Sequence, residues 1–191
     1  MSTEASAIEE PTGNQHLDRL QSAKGFIFDM DGVLYRGKMV LPGVEDLFNA
    51  LTLRQIPFLL ATNNSMATPA AYVQRMASMG VTVEEADIQT SATATRDFLV
   101  DDEETPNDAV ILTVGMPALG EQLSMGTSFR TLGENEPASD ANVVVAGLDL
   151  TFTYDKMKRA CEAIDHGARF IATNADDRLP TETGYQPGAG A

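Results

Sequence analysis

Short apolar runs that stop at polar residues recur along this chain, each followed by a stretch of helical periodicity, and no other feature restricts its fold so strongly. Phe26-Ile27-Phe28 halts at Asp29-Met30-Asp31-Gly32, and Phe58-Leu59-Leu60-Ala61 halts at Thr62-Asn63-Asn64-Ser65. Val110–Val114, Val143–Ala146 and Phe170–Ala172 repeat the pattern, the last of them reading as the final strand. Between the first two runs, Val44, Leu47, Phe48 and Leu51 fall at i, i+3, i+4 and i+7, the spacing of one buried helical stripe. Thr68 caps a second helix, with Pro69 in its first turn, Tyr72, Met76 and Met79 on its stripe and Gly80 at its end. Further helices are predicted over Thr90–Leu99, over Pro117–Met125 and through Met157, Cys161 and Ile164, with these last three on an apolar, core-facing side. Strands alternating with helices require parallel sheets joined by right-handed crossovers, so the fold class is α/β.

Residues 1–21 carry few apolar side chains and read as a loose acidic tail. The run Asp101-Asp102-Glu103-Glu104 ahead of Pro106 is a solvated stretch that marks a boundary, giving one unit over 22–100 and a second over 105–191. With 13 Lys plus Arg against 28 Asp plus Glu, the formal charge is −15, which offers no basic footprint for nucleic acid or an anionic membrane surface. No apolar run approaches the roughly 18 residues that a spanning helix needs. Cys161 is the one cysteine, so a disulfide framework within the chain is excluded. Met1–Glu10 lacks a basic start and apolar stretch, so a cytoplasmic location is expected.

Two strand ends carry chemistry. Asp29 and Asp31 stand two residues apart directly after a buried strand, and two like charges there need a compensating cation such as Mg²⁺. Asp and Gly also make ordinary turns, so this stretch alone reads equally as a turn or as a site. Thr62-Asn63-Asn64 offers a hydroxyl, amides and backbone N–H groups suited to phosphate oxygens, or simply a helix cap in an Asn-rich loop. His16 in the tail and His166 near a helix end suit surface or capping roles.

Taken together, the Asp-x-Asp-Gly-Val-Leu stretch and the Thr-Asn-Asn stretch about thirty residues later resemble the first two motifs of the haloacid dehalogenase superfamily. Tyr35-Arg36-Gly37, Leu41-Pro42-Gly43, Thr90–Thr95, Gly167–Asp176 and Pro187-Gly188-Ala189-Gly190 extend the resemblance to its NagD-like phosphatase branch over residues 22–191. The resemblance implies a Rossmann-like parallel-sheet core, here incomplete, with an inserted α/β cap domain. It implies Asp29 as nucleophile, Asp31 as general acid, and Mg²⁺ held by Asp29 and by Asp31 through its main-chain carbonyl. Gly32, Thr62 and Asn63 would hold the phosphoryl group, and Asn174 and Asp176 in the cap would select the substrate. A competing reading takes Asp176-Asp177 as a late metal-binding motif of one continuous core sheet. The expected partner is a small phosphorylated metabolite, with assembly either as a homodimer through the cap or with a complementing C-terminal segment.

The superfamily also uses a lysine, often within G-K-P, and a late G-D-x-x-x-T-D. Lys24, Lys38, Lys156 and Lys158 stand in no such context, and Gly147-Leu148-Asp149 fails the acidic pattern. The sequence therefore reads as a fragment of a phosphatase, one half of a split enzyme or a non-catalytic phosphate-binding module, with little turnover expected of the chain alone.

Overall fold

The computed structural model describes residues 20, 22–37, 39–181 and 184–191, which leaves most of the expected tail, with His16, outside the described residues. Strand β1 (Phe26–Asp29) ends at the first acidic pair and is followed by a small antiparallel hairpin, β2 (Tyr35–Arg36) and β3 (Met39–Val40). Helix α1 (Val44–Leu53) leads to β4 (Phe58–Thr62), and α2 (Pro69–Ser78) leads to the short β5 (Ile88–Thr90). The three strands form a parallel sheet in the order β1-β4-β5, with Asp29 level with Ala61 and Thr62 level with Thr90. Val44, Phe48 and Leu51 bury the predicted stripe of α1, and the Phe48 ring meets Phe28 and Phe58 at centroid distances of 5.5 and 4.9 Å. Leu47, expected on that stripe, is 39% exposed at its edge. The Thr68 hydroxyl accepts from Ala71 N at 3.3 Å, capping α2, and Gly80 follows its end at φ +80°, a conformation that favours glycine.

Helix α3 (Ser91–Asp101) opens the second half, followed by β6 (Val110–Val114), α4 (Pro117–Ser124), β7 (Arg130–Thr131), β8 (Val143–Ala146), α5 (Tyr154–Asp165) and β9 (Arg169–Ala172). These strands make a second parallel sheet in the order β7-β6-β8-β9. Successive strand residues face opposite sides, so Ile111, Val143 and Val145 join Ala92, Leu99, Leu119 and Leu123 of α3 and α4. Leu112, Val114 and Val144 join Ala160 and Ala163 of α5 on the other face. A sheet covered on both sides explains why Val143, Val144 and Val145 are consecutive buried residues without polar alternation. Helix α3, although it directly follows the first sheet and all but its last residue falls in 22–100, packs against α4 of the second.

Three expectations are corrected. Met157, Cys161 and Ile164 of α5 are not core residues: they line an open apolar cavity beside Phe170 and Ala172 of the sheet, and Cys161 is exposed. The helix lies on its sheet through Ala160 and Ala163, whose small side chains permit a close approach that longer ones prevent. Phe170–Ala172 is not the final strand, since β10 (Arg178–Thr181) and β11 (Gly184–Pro187) form an antiparallel hairpin beyond it. The acidic run is not wholly solvated either. Asp102 accepts from the Thr105 hydroxyl at 2.6 Å and pairs with Arg169 of β9, and these two partners hold its carboxyl below the ordinary range. His166 is the C-terminal cap residue of α5, its Nδ1 within 2.7 Å of the Glu162 carbonyl, which matches the capping role. Among the described residues no helix is long and apolar enough to cross a membrane.

Ala163→Met should overpack the α5 interface and cost about 1–3 kcal/mol, whereas Met157→Ser at the open cavity should change stability by no more than about 0.5 kcal/mol; urea unfolding midpoints decide. For Asp102, a depressed folded pKa means a contribution present above the unfolded value and lost as pH falls through the folded one. Asp102→Asn should therefore lower the midpoint at pH 7, with the deficit shrinking as pH falls below the ordinary aspartate value of 3.8.

Candidate active site

The backbone turns sharply after β1. Leu34 N donates to Met30 O at 3.0 Å and Gly32 N to Tyr35 O at 2.8 Å, closing a tight loop around the buried Met30. Gly32 sits at φ +83° with nothing near the place of a Cβ, so backbone conformation rather than space calls for glycine. Asp29 Oδ1 accepts from Met30 N at 2.8 Å, which orients the carboxylate and leaves Oδ2 without a hydrogen bond among the described residues. Desolvation raises the Asp31 carboxyl above its ordinary range, Arg75 opposes the rise, and the neighbouring Asp29 adds to it.

Arg75 comes from α2. Its guanidinium stacks 4.2 Å from the Tyr35 ring centroid and donates to the Gly37 carbonyl at 2.7 Å, fastening the β2–β3 hairpin beside the acidic pair. Tyr35 and Tyr72 are buried, and desolvation lifts both phenols above their ordinary value, so they stay protonated. Neither hydroxyl completes a hydrogen bond of normal geometry.

The end of β4 supplies the opposite wall. The Thr62 hydroxyl accepts from Asn64 N at 3.2 Å and Asn64 Oδ1 accepts from Met66 N at 2.8 Å, two side-chain turns that stiffen the loop. Thr62 Oγ1 spends an acceptor position there, and the Tyr72 hydroxyl turns toward it. Asn63 reaches toward the second sheet: its Nδ2 donates to Asp176 Oδ2 at 3.0 Å, and its carbonyl accepts from Asn174 Nδ2 at 3.0 Å and Ser91 Oγ at 2.8 Å.

Asn174 and Asp176 follow β9, and Asn174 Oδ1 accepts from Asp176 N at 3.0 Å. Gly188 and Gly190 pass so close that a Cβ would stand 2.2 Å from the Asp176 carbonyl oxygen and 2.4 Å from the Ala175 carbonyl carbon. Gly190 N donates to Asp176 O at 2.8 Å, so the Pro-Gly-Ala-Gly stretch braces this loop by backbone contact. Because Asp176 and Asp177 leave the second sheet, the reading of one continuous core sheet ending in those acids is overturned.

All seven sequence-predicted site residues, Asp29, Asp31, Gly32, Thr62, Asn63, Asn174 and Asp176, line one cavity of about 800 Å³. Arg36, Arg178 and Leu148 line it as well, and among the described residues no lysine does. Sequence reasoning missed Arg75, Ser91 and Arg178 as neighbours of the site; only a helical-stripe position for Arg75, three residues after Tyr72, could have hinted at any of them. Among the described residues no three His, Cys, Asp or Glu side chains converge as a metal cluster. The donor set still fits Mg²⁺, which is commonly held by one or two carboxylates together with phosphate oxygens and water. The raised Asp31 carboxyl beside Asp29 is the electrostatic strain that such an ion relieves.

Comparison with known proteins agrees with this geometry. The family model described as haloacid dehalogenase-like hydrolase matches residues 26–126. The acid sugar phosphatase of Staphylococcus haemolyticus is 33% identical over 172 residues, covering 90% of this chain and 62% of that protein. The 5′-nucleotidase YutF of Bacillus subtilis is 32% identical over 173 residues, covering 90% and 64%. The solved structure of a hypothetical protein from Pyrococcus horikoshii OT3 superposes with a TM-score of 0.79 at 41% identity, covering 88% of this chain and 64% of that one. The chain thus spans a little under two thirds of the length of these relatives. The matched motifs and the parallel-sheet architecture agree: the chain belongs to the haloacid dehalogenase-like hydrolases, in their NagD-like branch.

Proposed function

We propose that this chain carries the nucleophile side of a Mg²⁺-dependent phosphatase that hydrolyses a small phosphate monoester. One observation carries the reading: Asp29 and Asp31 at the end of β1 face the Thr62–Asn63 loop across a shared cavity. Its volume of about 800 Å³ accommodates a phosphorylated metabolite of sugar or nucleotide size. The names of the relatives, an acid sugar phosphatase and a 5′-nucleotidase, point to the same substrate class. We place the enzyme in the cytoplasm and assign residues 22–100 to its core and 105–191 to its cap. We further propose that a lysine and a later carboxylate come from outside these 191 residues.

In the proposed reaction Asp29 Oδ2 attacks phosphorus in line, forming the aspartyl-phosphate as the ester P–O bond breaks. Asp31, whose hold on a proton burial strengthens, gives its proton to the leaving alkoxide. It then takes a proton from the water that attacks the aspartyl-phosphate, releasing orthophosphate and restoring Asp29. The Thr62 hydroxyl, the Asn63 backbone and the turn at Gly32 hold the phosphoryl oxygens. Asp29 and Asp31 would hold Mg²⁺, which when bound neutralises charge on the carboxylates and the phosphoryl group. Asn174 and Asp176 would select the leaving group from the cap side. A second reading, phosphate binding without turnover, draws on the lack of a lysine among the described cavity residues.

Turnover of p-nitrophenyl phosphate by the chain with Mg²⁺ should be slow, and should fall to background in Asp29→Asn and on adding EDTA. Turnover that survives both sinks the mechanism. Fluoroberyllate, a phosphoryl mimic, separates the two readings: a bound ¹⁹F resonance that needs both Mg²⁺ and Asp29 supports the nucleophile, and orthophosphate binding indifferent to Asp29→Asn supports the binding module. Asp31 makes a further prediction through stability. A carboxyl whose folded pKa is raised costs stability fully above that value and nothing below its unfolded value. Asp31→Asn should therefore raise the melting temperature at pH 7, with the gain disappearing near pH 3, while any turnover falls about 10²- to 10⁴-fold.

A further inference from the structure

The loop after β4 is held by more than its own turns. Helix α4 places Leu119 and Leu123 on its buried stripe, and Gln122, between them in that stripe, is also fully buried. An amide in such a place persists only when its hydrogen bonds are made. Gln122 makes three: Oε1 accepts from Thr90 Oγ1 at 2.6 Å, and Nε2 donates to Ser65 O at 3.3 Å and to Ala118 O at 2.9 Å. Thr90 ends β5 level with Thr62, and Ser65 closes the loop that begins at Thr62. A single side chain of α4 therefore grips two strand ends of the first sheet at once.

Neighbouring contacts converge on the same loop. Ser91 Oγ, one residue into α3, donates to Asn63 O at 2.8 Å. Gly147, just after β8, lies so near that a Cβ there would stand 2.7 Å from Ser65 Oγ and 3.2 Å from Leu119 Cδ2. Thr90 itself is fixed, with Thr93 Oγ1 accepting from its N–H at 2.9 Å and its own hydroxyl oxygen accepting from Thr93 N at 3.0 Å. The loop that presents Thr62 and Asn63 to the cavity thus lies between α3, α4 and the end of β8.

We propose that Gln122 is a positioning residue, which with Ser91 locks the Thr62–Ser65 loop to the second sheet and sets the geometry of its phosphate-facing groups. The part of this that concerns phosphate rests on the function proposed above; the lock itself does not. Gln122 touches neither the cavity nor a reacting atom, so its effect passes through Ser65 and Thr90.

Gln122→Met tests the lock, since methionine has a similar length and no amide. It leaves Ser65 O and Thr90 Oγ1 without this buried partner, while Leu119 and Leu123 keep their packing. Amide hydrogen exchange at Asn64 and Met66, both bonded inside the loop, should speed up about tenfold or more, with Val144 and Val145 of β8 unchanged. Orthophosphate affinity in Mg²⁺, read by ³¹P NMR, should fall about tenfold. Loop exchange equal to wild type in Gln122→Met overturns the proposal, whatever happens to phosphate. Faster loop exchange in a chain whose wild type binds no phosphate sustains the lock and overturns the phosphate reading. Should Gln122→Met not fold, Ser91→Ala removes a single bond to Asn63 O, and unchanged exchange at Asn64 in that variant overturns the proposal equally.

Discussion

The parallel register of β1, β4 and β5 is the constraint on which the site depends. Pairing Asp29 with Ala61 and Thr62 with Thr90 brings three polar strand ends to one edge, because parallel strands end together where antiparallel ones alternate direction. The carboxylate, the hydroxyl loop and the start of α3 are neighbours for that reason alone. A one-residue slip in β4 would turn Thr62 to the opposite face and dismantle the cavity wall. The aromatic contacts of Phe48 with Phe28 and Phe58 lie beneath this edge and resist such a slip, since a slip would expose rings now packed on α1.

Electrostatics decides what the edge can hold. The chain carries a formal charge of −15, and three of its carboxylates, those of Asp29, Asp31 and Asp176, line the cavity. An anionic ester enters such a place only where the field is locally reversed. Arg36 and Arg178 line the cavity, and Arg75 acts on Asp31 from behind the Tyr35 ring. Arg75 answers only part of the burial and repulsion that raise Asp31, so the net shift of its carboxyl is upward.

Much of this was legible before any coordinates. The strands Val110–Val114 and Val143–Ala146 were bounded by their own apolar runs and occur as read, and Asp29, Asp31 and Thr62 stood out because polar residues interrupt such runs at strand ends. What escaped has physical reasons. Two-residue strands such as Tyr35–Arg36 and Arg130–Thr131 are too short to show a period. Helix α5 misled because its large apolar residues line an open cavity while two alanines are the buried ones, and hydrophobicity cannot register a gain that comes from close approach. Asp102 looked solvated because its partner Arg169 lies 67 residues away. Gln122 carried a signal of another kind, a polar residue inside an apolar stripe, and its meaning depended on Thr90 and Ser65, which only the fold brings to it.

The site also concentrates local costs that a purely structural edge would shed. Asp31 is held away from its ordinary ionisation, the buried hydroxyls of Tyr35 and Tyr72 lack normal hydrogen bonds, and Gly32 occupies a left-handed turn. An unmet buried hydroxyl costs on the order of 1–3 kcal/mol, and such features persist only where surrounding packing over-determines them. That packing is present on the far side of the same residues: Met30, Leu34 and the Tyr35 ring sit in one cluster with Phe48, Leu60, Tyr72 and Met76. The phenols therefore face two ways, with rings that contribute to the core and hydroxyls turned toward Asp31 and Thr62. Replacing either with phenylalanine would relieve the unmet hydroxyl and keep the core. Leucine, methionine, phenylalanine, valine and isoleucine fill the rest of this cluster, and tyrosine stands at the two positions whose hydroxyls turn toward Asp31 and Thr62.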